Sequence, residues 1–441
     1  MSLIFCFRFA YVPCPHKAEV ICQALYACLV DWHLEGKVST ITLDNCTSNE
    51  KAVGDLMDKL ETASLMLSGK YLHMRCCAHV LNLIVKDGMS VMEEGVARVR
   101  DSVAFWSATP KRHERFEKMA KTLNIGYTSR LNLDCKTRWN STYIMLSIAL
   151  EYIPIFASLS SREKLFESCP TVDDWKFAKE LCGRLKVFFD ITQLFSGTKY
   201  VTSNLFFPKI CTIRLSIRAW SNSTNPLFQA MSEEMKSKFE KYWKDVHGLM
   251  AIATVLDPRY KLHMMQALFG SLYGYEHATR EVEKIRNLMV DLLEEYQAVD
   301  GEGSSQTGRT AAPTGGVGED EVLKIFSQYM SSQPVVTASR ERIELDLYLE
   351  EPTIPVTAEE LDIIGWWKFG GVKYPTLQRM AHDILPIPVT TVASESAFST
   401  SGRVLSAHRS SLAPNMAEAL MCMQAWSRAD MLGNDLSKLS N

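Results

Sequence analysis

The sequence predicts an N-terminal α/β unit followed by a much longer helical region. Short β-like runs alternate with amphipathic helical patterns over residues 1–90, whereas the apolar spacing over residues 91–297 is almost wholly helical. Apolar residues make up 46% and charged residues 22% of the 441 residues, as in ordinary folded proteins with an extensive core. The predicted fold class is therefore α/β plus α.

Three strand-like runs are predicted in the N-terminal unit, at residues 5–12, 38–43 and 71–75. Each run is followed by apolar residues at helical spacing, over residues 20–32, 53–60 and 77–85. Pro13 and Pro15 end the first run. This alternation of strand and helix patterns makes the unit α/β.

Composition shifts divide the chain into four segments. Prolines mark turns between the helices of residues 91–297, and residues 298–320 are rich in Gly, Ser, Thr and Pro, as flexible linkers are. Helical patterns resume near residue 321. We therefore predict an N-terminal core at 1–90, a helical domain at 91–297, a linker at 298–320 and a C-terminal region at 321–441.

Charge and cysteine content exclude several classes of protein. The formal net charge is −3, so the whole molecule lacks the basic excess of histone-like proteins and any nucleic-acid contact must be local. The 12 cysteines follow no regular framework, and Arg8 interrupts the apolar N-terminus too early for a signal peptide, which indicates reduced thiols inside the cell. No uninterrupted apolar run of about 18 residues occurs, so we predict no membrane span.

Two acidic residues stand at positions suited to chemistry. Asp44 follows the second predicted strand, where α/β sheets expose side chains to ligands and where a carboxylate can hold Mg²⁺. A turn or a helix cap is the simpler interpretation. Glu395 lies among small residues that allow close packing of a helix against a sheet, and its simpler interpretation is a solvated helix face.

Cys76 and His79 have the CxxH spacing of half a zinc site. No matching Cys or His pair lies near them in the sequence. A packed thiol beside a hydrogen-bonded imidazole is therefore the favoured interpretation.

A basic segment with interleaved aromatic residues runs from Arg98 to Arg138 and ends next to Trp139. This segment contains ten Lys and Arg residues but only four acidic residues. Cations that meet phosphates and rings that stack on bases suit unpaired or distorted nucleic acid. The candidate phosphate contacts are Lys111, Arg112 and Arg115. An ordinary solvated helical surface explains the charges equally well.

Taken in order, four motifs resemble the successive signatures of hAT-superfamily transposases. They are Ile41–Asn49, Arg75–Val85, Thr137–Tyr143 and Val392–Ser399. Segments at residues 366–368, 373–375, 381–385 and 403–412 resemble the C-terminal dimerisation region of that family. Within the family, the sequence is similar to domesticated plant proteins of the RICESLEEPER and DAYSLEEPER group, which carry a BED zinc finger.

The resemblance implies an RNase H-like fold that is interrupted by a large all-helical insertion domain. Such a fold carries three acidic residues that bind two divalent metals, and Asp44 matches the second acid and Glu395 the third. Arg138 and Trp139 match a pair that handles the DNA end, where the ring stacks on a flipped base.

Cys76 and His79 match a pair that supports the active site in that family. The first acid, expected upstream of Phe5, and the BED finger have no counterpart in this sequence. The RNase H-like fold is therefore expected to be incomplete, with a vestigial catalytic site and weak or lost metal binding. No cofactor is then required, and Mg²⁺ or Mn²⁺ would matter only if the site were complete.

Large apolar side chains are concentrated in the C-terminal region. They are Trp366, Trp367, Tyr374, Leu377, Ile384 and Leu385. Their area exceeds what one isolated helix can hide, so we expect part of it to face a second copy of the chain or a related hAT-like protein. Burial against the helical region of the same chain is the alternative.

The sequence thus predicts a domesticated, nuclear relative of hAT transposases that associates with DNA, forms homodimers and lacks transposase activity. Its expected partners are DNA and a second copy, with no membrane. The alternatives are an incomplete gene model of an active metal-dependent transposase and a protein-interaction scaffold that does not bind DNA.

Overall fold

The computed structural model describes a mostly helical protein with a small parallel sheet. It describes residues 12, 14–62, 65–135, 138–197, 200–243, 247–303, 337–355, 357, 361–392, 394–395, 416 and 418–423. Most of the first predicted strand and most of the predicted linker lie outside these residues.

The described N-terminal unit pairs two short strands with two helices. Its elements are α1 (Ala18–Asp31), β1 (Ile41–Leu43), α2 (Thr47–Met57), a 3₁₀ turn (Met66–Gly69) and β2 (His73–Arg75). β1 and β2 are parallel, with Leu43 opposite Arg75. The strands predicted at residues 38–43 and 71–75 are confirmed, although each is three residues long.

α1 packs against α2 over a small apolar core. Its buried members are Ala18, Cys22, Ala52, Val53, Leu56, Leu60, Leu65 and Leu72. The spacing of Ala52, Val53 and Leu56 places them on one face of α2, as the helical periodicity of the sequence predicts. This unit therefore has a core of its own.

A long series of helices follows β2. They are α3 (Cys77–Ser90), α4 (Glu93–Ser107), α5 (Pro110–Thr122), α6 (Trp139–Glu151), α7 (Ile153–Ser160), α8 (Val172–Phe195), α9 (Ser203–Trp220), α10 (Pro226–Trp243), α11 (Gly248–Val255), α12 (Lys261–Tyr273) and α13 (Tyr275–Gly303). The helical character predicted for residues 91–297 is confirmed. The buried faces of these helices form one continuous core.

Three further helices lie in the described C-terminal part of the chain. They are α14 (Thr337–Glu350), α15 (Ile363–Gly370) and α16 (Pro375–Ile384). Their buried side chains join the same large core. α13 continues to Gly303, so residues 298–303 are helical although the sequence places them in the linker.

α3 connects the sheet to the helical core. It begins directly after β2, and its buried side chains, which include Val80 and Ile84, pack mainly against α10. At Gly88 the two helices approach so closely that a Cβ would lie 2.4 Å from Cγ of Met235. Gly88 therefore permits the contact that holds the sheet against the helices.

A buried ion pair fixes the loop between α5 and α6. The guanidinium of Arg100 donates two hydrogen bonds of 2.9 Å to Asp134, and the hydroxyl of Thr142 donates a third of 2.7 Å. Burial alone would raise the pKa of Asp134, but these hydrogen bonds outweigh it and hold that pKa below its ordinary value. Arg100, one of the cations of the basic segment, is thus paired with Asp134, an acidic residue of the same segment.

The loop between α11 and α12 is organised by a buried carboxylate. Asp257 is fully buried and accepts a hydrogen bond of 2.8 Å from Nδ2 of Asn204 in α9. The guanidinium of Arg259 donates to the same carboxylate at 2.8 and 3.0 Å. Both oxygens of Asp257 are therefore satisfied, which is the condition for burying a charge.

Lys261 links this loop to α14. Its side chain is buried, and its ammonium donates to the carbonyl oxygens of Tyr348 and Glu351, the second at 2.7 Å. A cation there satisfies carbonyl groups that have no partner within the helix. Lys261 also has φ of +47°, in the left-handed region that side chains disfavour, so these contacts hold a strained backbone.

α6 and α7 meet at a sharp bend. Tyr152 stands at the bend, is fully buried, and donates its hydroxyl proton to the carbonyl oxygen of Ser129 at 3.0 Å.

Among the described residues no single helix has the length and apolarity to cross a membrane. α6 and α7 meet these criteria only when taken together, as a pair bent by 69°.

Two histidines lie where the N-terminal unit meets the helical core. The ring of His247, just before α11, packs against the ring of Tyr71 with centroids 5.3 Å apart. Both ring nitrogens of His247 and Nε2 of His73 are buried, and no hydrogen bond to them is formed within the described part of the chain. Burial lowers the pKa of His247 to about 4 and also lowers the pKa of His73.

We predict that the protein loses stability as the pH falls from 6.5 towards 4. The folded state keeps His247 neutral, whereas the unfolded chain takes up a proton below the ordinary pKa of 6.5, so acid favours unfolding. The full shift corresponds to about 3 kcal/mol. Urea unfolding at pH 7 and pH 5 should show a smaller loss for His247→Gln than for the unaltered chain. An equal loss in both proteins would contradict the assignment to His247.

Candidate active site and DNA-binding residues

The C-terminal ends of β1 and β2 form one edge of the sheet. Asp44 follows the last residue of β1, and Cys76 follows the last residue of β2. The amide of Cys76 donates to the carbonyl oxygen of Leu43 at 2.8 Å, so the ladder continues to the point where Asp44 leaves the strand. Nδ2 of Asn49 donates to the carbonyl oxygen of Asp44 at 3.1 Å, at the start of α2. The Asp44 side chain is exposed at this edge.

The segment of residues 388–395 lies against this edge. The hydroxyl of Thr42 donates to the carbonyl oxygen of Pro388 at 2.8 Å, across 346 positions of sequence. The amide of Cys77 donates to the carbonyl oxygen of Val389 at 2.9 Å. Both strand ends therefore bind a segment from the far end of the chain.

Glu395 is brought to the same edge by this segment. Oγ1 of Thr391 lies 2.9 Å from Oε1 of Glu395 and 3.2 Å from Sγ of Cys76. Glu395 is exposed, like Asp44. Each of the two acids that the sequence singles out is thus connected to Cys76, Asp44 through the preceding residue Leu43 and Glu395 through Thr391.

These side chains suit a hard divalent cation such as Mg²⁺ or Mn²⁺. Carboxylate oxygens are the donors that such ions prefer. Beside Asp44, both side-chain amide atoms of Asn45 are buried without a hydrogen bond among the described residues, which leaves one more oxygen donor at this edge. In the described residues no group of three or more His, Cys, Asp and Glu has metal-binding geometry.

Cys76 and His79 lie at the start of α3. Cys76 is fully buried at the N-cap position, and its Sγ accepts a hydrogen bond of 3.3 Å from the amide of Thr391. His79 is half-buried in the first turn of the helix. This position beside the edge fits a packing role for Cys76, and among the described residues no second Cys or His pair completes a zinc site with it and His79.

The candidate phosphate contacts differ in their surroundings. Lys111 on α5 and Arg138 at the start of α6 are exposed. Arg112 is half-buried, with its guanidinium 3.7 Å from the centre of the Phe105 ring. Arg115 forms an ion pair with Glu163. Lys111 and Arg138 are therefore better placed for phosphate contact than Arg112 or Arg115.

The aromatic rings of the basic segment lie mainly in the core. Trp139 is 6% exposed and packs edge-on against Phe188, and Trp106 and Phe116 are fully buried. Trp106, Phe116 and Trp139 therefore belong to the core in the described conformation, and stacking of the Trp139 ring on a base stays a prediction. Helical spacing that turns the cations outward turns the rings inward.

Two more exposed cations lie in the same segment. Lys118 is two turns after Lys111 on α5, and Arg130 is in the loop before α6. Neither side chain forms an ion pair among the described residues. With Lys111 and Arg138, they form the group of exposed cations that we call the basic surface.

The apolar residues expected at a dimer interface are buried within the chain. Trp367, Tyr374, Leu377, Ile384 and Leu385 are at most 2% exposed, and Trp366 is half-buried. The indole of Trp367 donates to the carbonyl oxygen of Leu256 at 2.8 Å. Five of the six residues therefore belong to the core of this chain, and the expectation that part of the set faces a second copy stays a prediction for the half-buried Trp366.

Two neighbouring apolar residues remain exposed. Phe369 at the end of α15 is 88% exposed, and Val372 in the following turn is 96% exposed. The sequence does not distinguish them from the buried residues around them, because all belong to one short apolar stretch. We call this pair the apolar turn.

Four family models match the chain in succession. Residues 6–71 match the ZBED1 RNase-like domain, and residues 74–184 match the ZBED1 RNase-like helical domain. Residues 204–296 match the RNase-H fold of hAT-like transposases. Residues 344–427 match the hAT family C-terminal dimerisation region, which includes the apolar turn.

Curated relatives match nearly all of the chain. It is 35% identical to the zinc finger BED domain-containing protein RICESLEEPER 2 of Oryza sativa subsp. japonica, over 95% of this chain and 60% of that protein. It is 33% identical to a putative AC transposase of Zea mays, over 96% of this chain and 53% of that protein. The zinc finger BED domain-containing protein DAYSLEEPER of Arabidopsis thaliana is 29% identical, over 93% of this chain and 57% of that protein.

The chain thus spans about 60% or less of the length of these relatives. The order of the motifs and of the family models is the same along the sequence. Together these matches show that the chain belongs to the hAT transposase-like family that includes the RICESLEEPER and DAYSLEEPER zinc finger BED proteins.

Proposed function

We propose that this chain is a nuclear, DNA-associated and self-associating derivative of a hAT transposase that does not itself cut DNA. The observation that carries the proposal is the shared edge of Asp44 and Glu395, which are connected to Cys76 through Leu43 and through Thr391. The basic surface and the match to the dimerisation region support the DNA and self-association parts.

The two-stranded sheet and residues 394–395 are proposed to be parts of an RNase H-like core. The helices from α4 to α13 would then be the insertion between the second and third acids. The contacts of Thr42 with Pro388 and of Cys77 with Val389 support this division, because they return the chain to the sheet after the helices.

A divalent cation bound at this edge would be held by Asp44 and Glu395. It would supply Lewis-acid polarisation of a phosphoryl oxygen. The chain's own contribution is to keep Glu395 beside the strand end through Thr391 and Cys76. The carboxylates of Asp44 and Glu395 alone would bind one ion weakly. Strand transfer by two metal ions needs a further acidic residue that bridges them.

We predict that the purified chain neither nicks nor joins DNA in the presence of Mg²⁺ or Mn²⁺. Two carboxylates leave a metal pair short of ligands. Supercoiled-plasmid nicking and strand transfer from a labelled DNA end measure these reactions, with Asp44→Asn as the control. Nicking that disappears in Asp44→Asn would overturn the proposal and favour an active metal-dependent transposase.

DNA contact is assigned to the basic surface. Cations that neutralise phosphates release counterions, so binding weakens steeply with salt and carries little sequence information. Lys111, Lys118 and Arg138 are exposed, and the described residues place no carboxylate in an ion pair with them. Weak, salt-sensitive binding of low specificity is expected.

We predict that the triple change of Lys111, Lys118 and Arg138 to Ala weakens DNA binding. The slope of log affinity against log salt should fall by about 1 for each phosphate contact that is lost. Fluorescence anisotropy with a labelled duplex at several salt concentrations measures both quantities.

The matched control changes the same net charge at three lysines on helices other than α5 and α6, each of which already pairs with a carboxylate three residues earlier on its own helix. These are Lys176, Lys236 and Lys284. Equal weakening by both triple variants would show a general charge effect and remove the basic surface from the proposal. Absence of any DNA binding would favour a protein-interaction scaffold.

Self-association is assigned to the apolar turn. Phe369 and Val372 expose apolar area next to each other within the region that matches the dimerisation model. Water-exposed apolar area of this kind is stabilised by contact with another apolar surface. A second copy offers the same surface in a symmetric dimer.

We predict that Phe369→Asp with Val372→Asp shifts the protein from dimer to monomer without loss of folding. Sedimentation velocity at micromolar concentration measures the state, and circular dichroism measures the fold. Trp367→Ala is the matched buried change, and it should instead lower the unfolding free energy by about 3 kcal/mol or more. A monomeric unaltered chain, or an unaffected dimer in the double variant, would contradict this assignment.

A further inference from the structure

Thr391 occupies the position between the anchored sheet edge and Glu395. Its hydroxyl oxygen lies 3.2 Å from Sγ of Cys76 and 2.9 Å from Oε1 of Glu395. Its amide also donates to Sγ of Cys76 at 3.3 Å. Thr391 is therefore attached to Cys76 through both its backbone and its side chain.

The direction of the side-chain hydrogen bonds follows from counting protons. A hydroxyl carries one proton, and an ionised carboxylate can only accept, so the Thr391 proton goes to Glu395. The contact with Cys76 is then made with the thiol as donor and the hydroxyl oxygen as acceptor. The short series runs from Cys76 through Thr391 to Glu395.

Cys76 is a rigid starting point for this series. Its amide is bonded to Leu43 in β1, and its side chain is fully buried. Asp44 is the next residue after Leu43. The same backbone contact therefore fixes both the strand end that carries Asp44 and the thiol that reaches Thr391.

Among the described residues, the Thr391 hydroxyl makes no hydrogen bond of the kind that caps a helix. An N-cap hydroxyl usually accepts from a backbone amide two or three residues later. Here the amide of Glu395 donates to the carbonyl oxygen of Thr391 at 2.9 Å, and the hydroxyl contacts the carboxylate. The neighbouring Thr390 hydroxyl contacts the carbonyl oxygen of Phe195 and the amide of Val392, so its contacts differ from those of the Thr391 hydroxyl.

We propose that Thr391 is a positioning residue that holds the Glu395 carboxylate at the sheet edge shared with Asp44. The inference rests on the proposed metal-binding role of this acid pair and assigns the residue that orients it. Glutamate has several freely rotating bonds, and a fixed hydrogen bond reduces the conformations that compete with metal binding. Residues that orient a metal ligand typically change affinity by about 10- to 100-fold.

The experiment compares Mn²⁺ binding and crystal structures for four variants of the full chain. Thr391→Val keeps the shape and removes the hydroxyl, and Thr391→Ser keeps the hydroxyl. Thr390→Val is the matched control on the same segment, and Asp44→Asn removes a proposed ligand. Electron paramagnetic resonance of free Mn²⁺ gives the affinity, and thermal unfolding monitors the fold.

Mn²⁺ affinity should fall about tenfold in Thr391→Val and remain near that of the unaltered chain in Thr391→Ser and Thr390→Val. The Glu395 carboxylate should move in the Thr391→Val crystal structure and stay in place in the other two variants. The inference would be overturned if Thr391→Val changed neither the Mn²⁺ affinity nor the position of the Glu395 carboxylate while Asp44→Asn abolished binding. That result would leave the proposed metal-binding role of Asp44 and Glu395 standing.

A failure of the proposed metal pair has a different result. It would appear as equal Mn²⁺ affinity in the unaltered chain and Asp44→Asn, or as no saturable binding in either. The crystal structures then decide the positioning role alone, because a carboxylate displaced in Thr391→Val and retained in Thr391→Ser supports it. An unmoved carboxylate in Thr391→Val overturns it.

Discussion

The buried carboxylate of Asp257 is the contact on which the placement of the C-terminal helices depends. It shapes the loop that presents the carbonyl oxygen of Leu256 to Trp367 and the ammonium of Lys261 to the end of α14. α15 and α16 are thereby held against the helical core, and residues 388–395 reach the strand ends. Removing one partner from a buried charge network costs about 3 to 5 kcal/mol, because the remaining group is left uncompensated.

The sheet edge was predictable from the sequence to a limited extent. A β-branched run followed by Asp-Asn and a helical pattern is a local signal, and it correctly placed Asp44 after a strand. Glu395 has no such signal, and its assignment came from the order of family motifs. Thr391 was not predictable, because its contact with Cys76 joins residues 315 positions apart. The only local feature, a hydroxyl four residues before a glutamate, does not reveal the contact with Cys76.

The apolar patterns of the sequence identified which face of a helix is apolar, but they did not identify the segment that packs against that face. Periodicity identifies the apolar sides of α15 and α16, but Leu377 and Ile384 on α16 are covered by the same chain, whereas Phe369 on α15 is exposed. Trp139 is a second example, because it follows the exposed Arg138 in sequence but packs inward against Phe188. Which surface covers an apolar face is decided by contacts between distant segments, and a single sequence does not contain that information in local form.

The contact between Thr42 and Pro388 has a consequence for synthesis of the protein on the ribosome. The two residues are 346 positions apart, so at ordinary elongation rates Pro388 is made about 20 to 70 s after Thr42. During that interval the nascent chain carries Asp44 at an unfinished sheet edge, with Glu395 not yet made. The acid pair is therefore assembled only after translation has continued from Asp44 to Glu395, and a product that stops between them displays one acid without the other.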